Sequence, residues 1–213
     1  MKLKYMIRWL SYLLGVILFS FGITITITVQ HLGLHPWDVL NVALYQKFGL
    51  TIGAWQIIMS LLLILISYIL DKSYIRTGTF LNAILVGLFV DFYMWTGILP
   101  EPSYAWPDVV TILIGIVIMG LGGGLYNAAG VGSGPRDGFM LSIADKFDAS
   151  IGKIRIVTES LVLVIGLLLR GPVHVITFLF TFIQSPIFQW AYVRFRKNVI
   201  RLESRYKKSK HVS

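Results

Sequence analysis

The sequence predicts an all-α polytopic membrane protein, with about six transmembrane helices and two short half-helices in a 3+3 inverted-topology repeat. Three observations carry that prediction. Hydrophobic residues make up 56 % of the 213-residue chain and charged residues only 14 %, against about 25 % charged in a soluble domain. Basic residues divide sharply between alternate loops. The second half of the chain repeats motifs of the first. Too few charges remain to cover a water-facing surface, and a mean hydropathy of +0.75 excludes intrinsic disorder. With no cysteine, disulfide frameworks, thiolate catalysis and cysteine-based metal sites are excluded.

A spanning helix needs about 20 mostly apolar residues. The first candidate covers residues 9–30, longer than a signal-peptide core and followed by no small-x-small cleavage site. The second covers 52–70 and stops at Asp71 and Lys72. The third, 79–99, ends at Pro100 and Pro102, and the fourth covers 109–129. The fifth, 151–169, stops at Arg170, Gly171 and Pro172, and the sixth covers 173–193. Two apolar stretches, 36–48 and 135–147, are too short to span, because 13 helical residues reach only about 20 Å. Each opens with proline, suited to the first helical turn, and has aspartate two residues later, near the positive end of the helix dipole. Each is either re-entrant or interfacial.

With the N-terminus cytoplasmic, inside segments hold 17 basic residues and outside segments two, Lys47 and Arg170. That split places both termini in the cytoplasm. Eight of the 17 lie in 194–210, from Arg194 to Lys210. No nucleic-acid motif accompanies them. Directly after a span, they read as an anchor on anionic lipid headgroups of the bilayer.

Residues 32–70 align with 131–169 at a constant offset of 99, with 11 identities in 39 positions. The informative matches are Gly33-x-x-Pro36-x-Asp38 with Gly132-x-x-Pro135-x-Asp137, Lys47-Phe48 with Lys146-Phe147, and Ile52-Gly53 with Ile151-Gly152. At offset 98, Thr79-Phe80-Leu81 recurs as Thr177-Phe178-Leu179, and Gly87 and Asp91 fall opposite Ser185 and Gln189. The unit is span, half-helix, span, span. Three spans per unit force the second copy to enter from the opposite face, the plan of many secondary transporters. The divisions are a first repeat at 1–103, a second at 104–198 and a basic tail at 199–213.

The Gly-x-x-Pro-x-Asp segment, the Lys-Phe/Ile-Gly junction and the Thr-Phe-Leu opening resemble the YitT/YyaS/YczE family of bacterial integral membrane proteins, the YczE-like branch best. The resemblance spans roughly residues 5–200. It implies a bacterial cytoplasmic-membrane protein of five or six spans and supplies no catalytic residues.

Ionisable residues inside spans are costly and usually paired or functional. Glu159 lies within the fifth span, with Arg155 four residues earlier on the same face. The two are read either as a structural ion pair or as a proton or substrate site. Asp38 and Asp137 either cap the half-helices or bind a cation or proton between repeats. Arg136 either holds an anionic group at a half-helix N-terminus or snorkels to headgroups. The predicted binding set is therefore Asp38, Arg136, Asp137, Arg155 and Glu159, around a mid-membrane gap between repeats. Gly120, Gly122, Gly123 and Gly124 lack the strand and the Lys-Ser/Thr of a phosphate loop, and are read as close helix packing with a bend. The histidines have no metal-ligand spacing, and no cofactor or enzymatic motif is present. The expected function is permeation of an unidentified small solute. The alternative is a non-transporting membrane protein that supports or regulates a partner.

Cysteines introduced at Ser103 and Ser209 are expected to react with a membrane-impermeant thiol reagent from outside and from inside, respectively. Labelling of both from one side excludes an even number of spans.

Overall fold

The computed structural model describes the backbone of residues 2–210 and the side chains of residues 5–201. Among the described residues there are eight α-helices and no strand: α1 Lys2–Thr28, α2 Pro36–Phe48, α3 Ile52–Leu70, α4 Thr77–Thr96, α5 Trp106–Ala129, α6 Pro135–Lys146, α7 Ile151–Leu168 and α8 Val175–Lys210. Single 3-10 turns at Gln30–Leu32 and Lys72–Tyr74 join α1 to α2 and α3 to α4. Four helices are long and apolar enough to cross a bilayer: α1 over Tyr5–Thr28, then α3, α4 and α5.

The predicted limits of 36–48 and 52–70 coincide with α2 and α3. Pro36 supplies the first turn of α2, and Gly49 at φ 76° closes it. The Thr51 hydroxyl caps α3 by accepting from the Ala54 amide. The Ile-Thr alternation at 23–28 has the period of a strand but forms the end of α1. There Thr24, Thr26 and Thr28 donate their hydroxyls to carbonyls three or four residues back. In an apolar medium the helix satisfies every backbone group within the segment, so it overrides the local pattern. The sixth predicted span ends at 193, whereas α8 continues to Lys210 through the basic residues, with Pro186 inside it. Lysine and arginine are good helix formers, and neither glycine nor proline interrupts the chain beyond Pro186. The side chains of Arg205, Lys207, Lys208 and Lys210 lie outside the described residues.

Helices α1 and α5 pack at backbone distance and run antiparallel. A Cβ on Gly15 would stand 2.9 Å from the Gly122 carbonyl oxygen, and one on Gly22 would stand 2.8 Å from that of Gly115. Further along α5, Gly120 faces Ile187 and Gly124 faces Ala191, so α8 nests on the adjoining face. Helix α5 runs unbroken from Trp106 to Ala129, and its glycines serve close approach. Helix α3 lies on α4 and on α6, and α2 lies on α7.

The first eight residues of α2, Pro36 to Ala43, are all buried, whereas Tyr45 to Leu50 are exposed. A helix lying along a surface would expose one face throughout its length. Instead α2 begins in the interior and ends at the periphery. Its entry is allowed by Gly33, at φ 124°, where a Cβ would come within 2.6 Å of the Thr177 amide nitrogen. At the far end of α6, Tyr74 donates its hydroxyl to Asp145, which holds the phenol above its usual pKa range.

A Gly122→Ala substitution pushes a methyl against backbone of α1. It should lower stability by about 1–3 kcal/mol, the usual cost of overpacking. Gly152→Ala meets open space within 4 Å and should leave the melting temperature unchanged, as read by thermal unfolding in detergent.

Candidate functional site

The first turns of α2 and α6 meet in the interior. Proline starts each helix, and the residues that follow are thereby fixed to point across the gap. Arg136, the second residue of α6, donates from Nη2 to Asp38 Oδ1 at 2.9 Å and to Gln56 Oε1 at 2.6 Å. Gln56 Oε1 also accepts from Asn41 Nδ2 at 2.5 Å. The Arg136 guanidinium lies over the Trp37 ring, 5.4 Å from its centroid. One cation thus bridges α2, α3 and α6.

Asp38 is 1 % exposed, and its second oxygen has no hydrogen-bond partner. It does not cap its helix. His35 does, its Nδ1 accepting from the Trp37 amide at 3.4 Å. No side chain caps α6 at Gly134. Asp137 Oδ2 accepts from Asn127 Nδ2 at 3.3 Å, and its Oδ1 lies 3.8 Å from Arg155 Nη2. The expected pairing of Arg155 with Glu159 is replaced. Arg155 turns to Asp137 and to Ser185 Oγ, at 3.5 Å. Glu159 Oε2 accepts from Thr181 Oγ1 at 2.7 Å, and its Oε1 lies 3.8 Å from His35 Nε2. An i, i+4 spacing makes two residues neighbours, but α6 and α8 supply other partners, Asp137 and Ser185 for Arg155 and Thr181 for Glu159.

Arg136, Asp137, Arg155 and Glu159 line one internal cavity, with Trp37 and His35 completing its wall. Asp38 stands behind that wall, in contact through Arg136. The five residues singled out by sequence are therefore in one cluster, drawn from α2, α6 and α7.

Two contacts that the sequence repeat aligns differ. Asp91 clamps α4 to α3, accepting from the Gly53 amide at 2.8 Å and from Thr51 Oγ1 at 2.5 Å. There a Cβ on Gly87 would fall 2.5 Å from Ile57 Cγ1. Gly152, aligned with Gly53, has no atom within 4 Å of a built Cβ. A second cavity opens beside it, flanked by Arg76 and Arg196, and shares Asp137, Met140, Arg155 and Phe188 with the first. Arg196, assigned above to lipid headgroups, also donates to the Ala128 carbonyl at the end of α5, at 3.3 Å.

His35, Trp37, Gln56 and Thr181 were not placed in the site by sequence. Trp37 and Gln56 carried a usable signal, since the repeat aligns them with Arg136 and Arg155. His35 and Thr181 carried none, because their approach to Glu159 depends on how the start of α2 and the side of α8 are brought to α7.

Residues 6–192 match DUF6198, a family described as of unknown function. The chain is 33 % identical to the uncharacterized membrane protein YczE of Bacillus subtilis, over 90 % of this chain and 88 % of the relative. It is 29 % identical to the uncharacterized protein YyaS of the same organism, over 81 % of this chain and 86 % of the relative. An uncharacterized Haemophilus influenzae protein is 35 % identical, over 72 % of this chain and 69 % of the relative. No solved structure matches the chain.

Breaking a buried ion pair by removing one partner costs about 3–5 kcal/mol. Arg136→Gln should lower stability by several kcal/mol, and adding Asp38→Asn should restore most of it. A double-mutant cycle from unfolding in detergent reads the coupling, and strictly additive losses would show that the pair carries none.

Proposed function

Because the chain belongs to the DUF6198 family, of unknown function, and is a multi-pass membrane protein like its relative YczE, we propose its activity from its own geometry: a small-solute permease of the cell membrane. Its binding site is the charged cavity between two inverted repeats, with Asp38, Arg136, Asp137, Arg155 and Glu159 as the site residues. The reading is non-enzymatic, with no covalent step assigned to the cluster. The observation that carries it is the meeting of two half-helix first turns at a buried set of charges, which secondary transporters use for solutes and coupling ions.

Three further features support the repeat. Helices α1 and α5, equivalent in the two halves, are antiparallel, and Gly15–Gly122 and Gly22–Gly115 form reciprocal contacts. That reciprocity is what a twofold axis in the membrane plane produces. Helices α2 and α7 pack together, as do α3 and α6, and each of these contacts is the other's symmetry partner. Helices α7 and α8 then serve as fifth and sixth spans, with the repeats at 1–103 and 104–198. Both termini are cytoplasmic by the distribution of basic residues, and the tail at 199–213 sits on anionic headgroups.

The side of the bundle that holds the second cavity, with Arg76 and Arg196, is then the cytoplasmic one, and the side where Asp91 clamps α4 to α3 is the outer one. The chain is inward-open: the outer pair of helices is closed and its inner counterpart is parted. Alternating access exchanges the two arrangements.

Glu159 is the coupling residue in this reading. Glu159→Gln keeps an oxygen for Thr181 and leaves Arg155 with Asp137, so the melting temperature should stay near wild type. Uptake of a labelled small-solute panel into liposomes, under imposed proton and sodium gradients, should be lost. Full uptake in the variant removes Glu159 from the mechanism. No uptake of any solute by the wild-type chain favours the partner-supporting alternative.

A further inference from the structure

The cavity's wall has unpaired groups of two kinds. The first are donors. Trp37 is 3 % exposed, lines the cavity, and its indole N–H is buried with no hydrogen-bond partner. A lone buried N–H costs roughly 1–3 kcal/mol unless something accepts from it. Beside it, both hydrogen bonds of Arg136 leave from the same nitrogen, Nη2. Its remaining N–H groups are unused by protein among the described residues. The α6 N-terminus also opens here, with no side-chain cap on its first amides, and such amides bear partial positive charge.

The second kind is an acceptor. Glu159 is anchored through Oε2 by Thr181. Its Oε1 faces His35 Nε2 at 3.8 Å, beyond hydrogen-bond length. Asp137 is engaged by Asn127 and Arg155. Asp38 is held through Oδ1 by Arg136, and its unpaired Oδ2 is no part of the cavity wall.

Resting on the permease reading, we infer that the solute is a small zwitterion of the α-amino-acid type. Its carboxylate accepts from Trp37 Nε1, Arg136 and the open amides of α6, and its ammonium donates to Glu159 Oε1. An anion alone would bring a fourth carboxylate beside Glu159. A cation alone would leave the Trp37 N–H unpaired and would face Arg136 and Arg155. Only a solute with both charges satisfies both kinds.

The test uses the purified full-length chain in detergent, with melting temperature followed by tryptophan fluorescence. Glycine, alanine, leucine and phenylalanine are titrated singly, each beside its deaminated carboxylate and its decarboxylated amine. The expected result is a saturable rise with at least one amino acid, and apparent affinity at least about tenfold weaker, some 1.4 kcal/mol, for both matched single-charge compounds. Glu159→Gln should abolish the preference for the amino acid over its carboxylate. Trp37→Phe should weaken the amino acid and the carboxylate together. The inference is overturned if a matched carboxylate or amine binds as well as the amino acid, if neither variant alters the preference, or if no amino acid in the panel raises the melting temperature. Liposome uptake separates this from the permease reading. Saturable binding without uptake upholds the zwitterion site and overturns transport. Uptake of a singly charged solute, unopposed by amino acids, upholds transport and overturns the zwitterion.

Discussion

Two helix N-termini are buried against each other in this chain, and the rest of the interior is arranged around that fact. Each end carries roughly half a positive charge from its aligned peptide dipoles. Without compensation their approach in a low-dielectric medium would be repulsive. Asp38 and Asp137, each in a first turn, offset the dipoles. Arg136 then ties Asp38 to the opposite half-helix through a 2.9 Å contact. The pair makes the meeting point stable only while both partners are present. Removing Arg136 leaves Asp38, 1 % exposed, as an uncompensated buried charge. Gln56 and Asn41 extend the same network into α3 and α2, and so fix where the half-helices stop.

Close packing elsewhere permits this arrangement. Half-helices fill the interior only if the full-length helices leave room, and glycine makes α1 and α5 thin enough to meet at backbone distance. The same four glycines occupy equivalent places in the two halves, Gly15 with Gly115 and Gly22 with Gly122. In the proposed repeat they form the axis about which the halves are related. A side chain there would separate the helices and so widen the gap that Arg136 must bridge.

Much of the fold was legible in the sequence because the signals were local. Proline, glycine and a threonine cap bound α2 and α3 to the residue. Four of the six predicted apolar runs became helices that can cross a bilayer by length and composition. Glu159 and the two aspartates stood out because charge is rare in such segments. What was not legible depended on tertiary geometry. The Arg155–Glu159 pair looked natural on one helix, yet Asp137 and Thr181, from two other helices, took the partners apart. His35 joined the site only because the chain dips inward at Gly33, a backbone event with no hydropathy signature. The glycine cluster read as close packing, but which helices it meets, α1 at Gly122 and α8 at Gly120 and Gly124, was not legible.

Under the proposed alternating access, the two halves are also unequal in a way that biases the equilibrium. The outer closure brings Gly53 and Gly87 together and seals them with Asp91, whose charge strengthens its hydrogen bonds to Gly53 and Thr51. The inner counterpart of Gly87 is Ser185, which keeps a side chain in the contact. The counterpart of Asp91 is Gln189, whose neutral amide would form weaker bonds to the equivalent amide and hydroxyl at Gly152 and Ser150. Ser185 is moreover already engaged with Arg155. In the proposed cycle, closing the inner end exchanges a tight, charge-assisted seal for a looser, neutral one, which favours the arrangement open toward the cytoplasm. A solute drives the opposite state only through contacts it makes better when the inner helices close, because a ligand shifts an equilibrium by no more than its differential affinity. Arg155 is placed to supply that difference. It lies on α7, faces both cavities, and holds Asp137 at 3.8 Å, a distance that closure of α7 toward α8 would change.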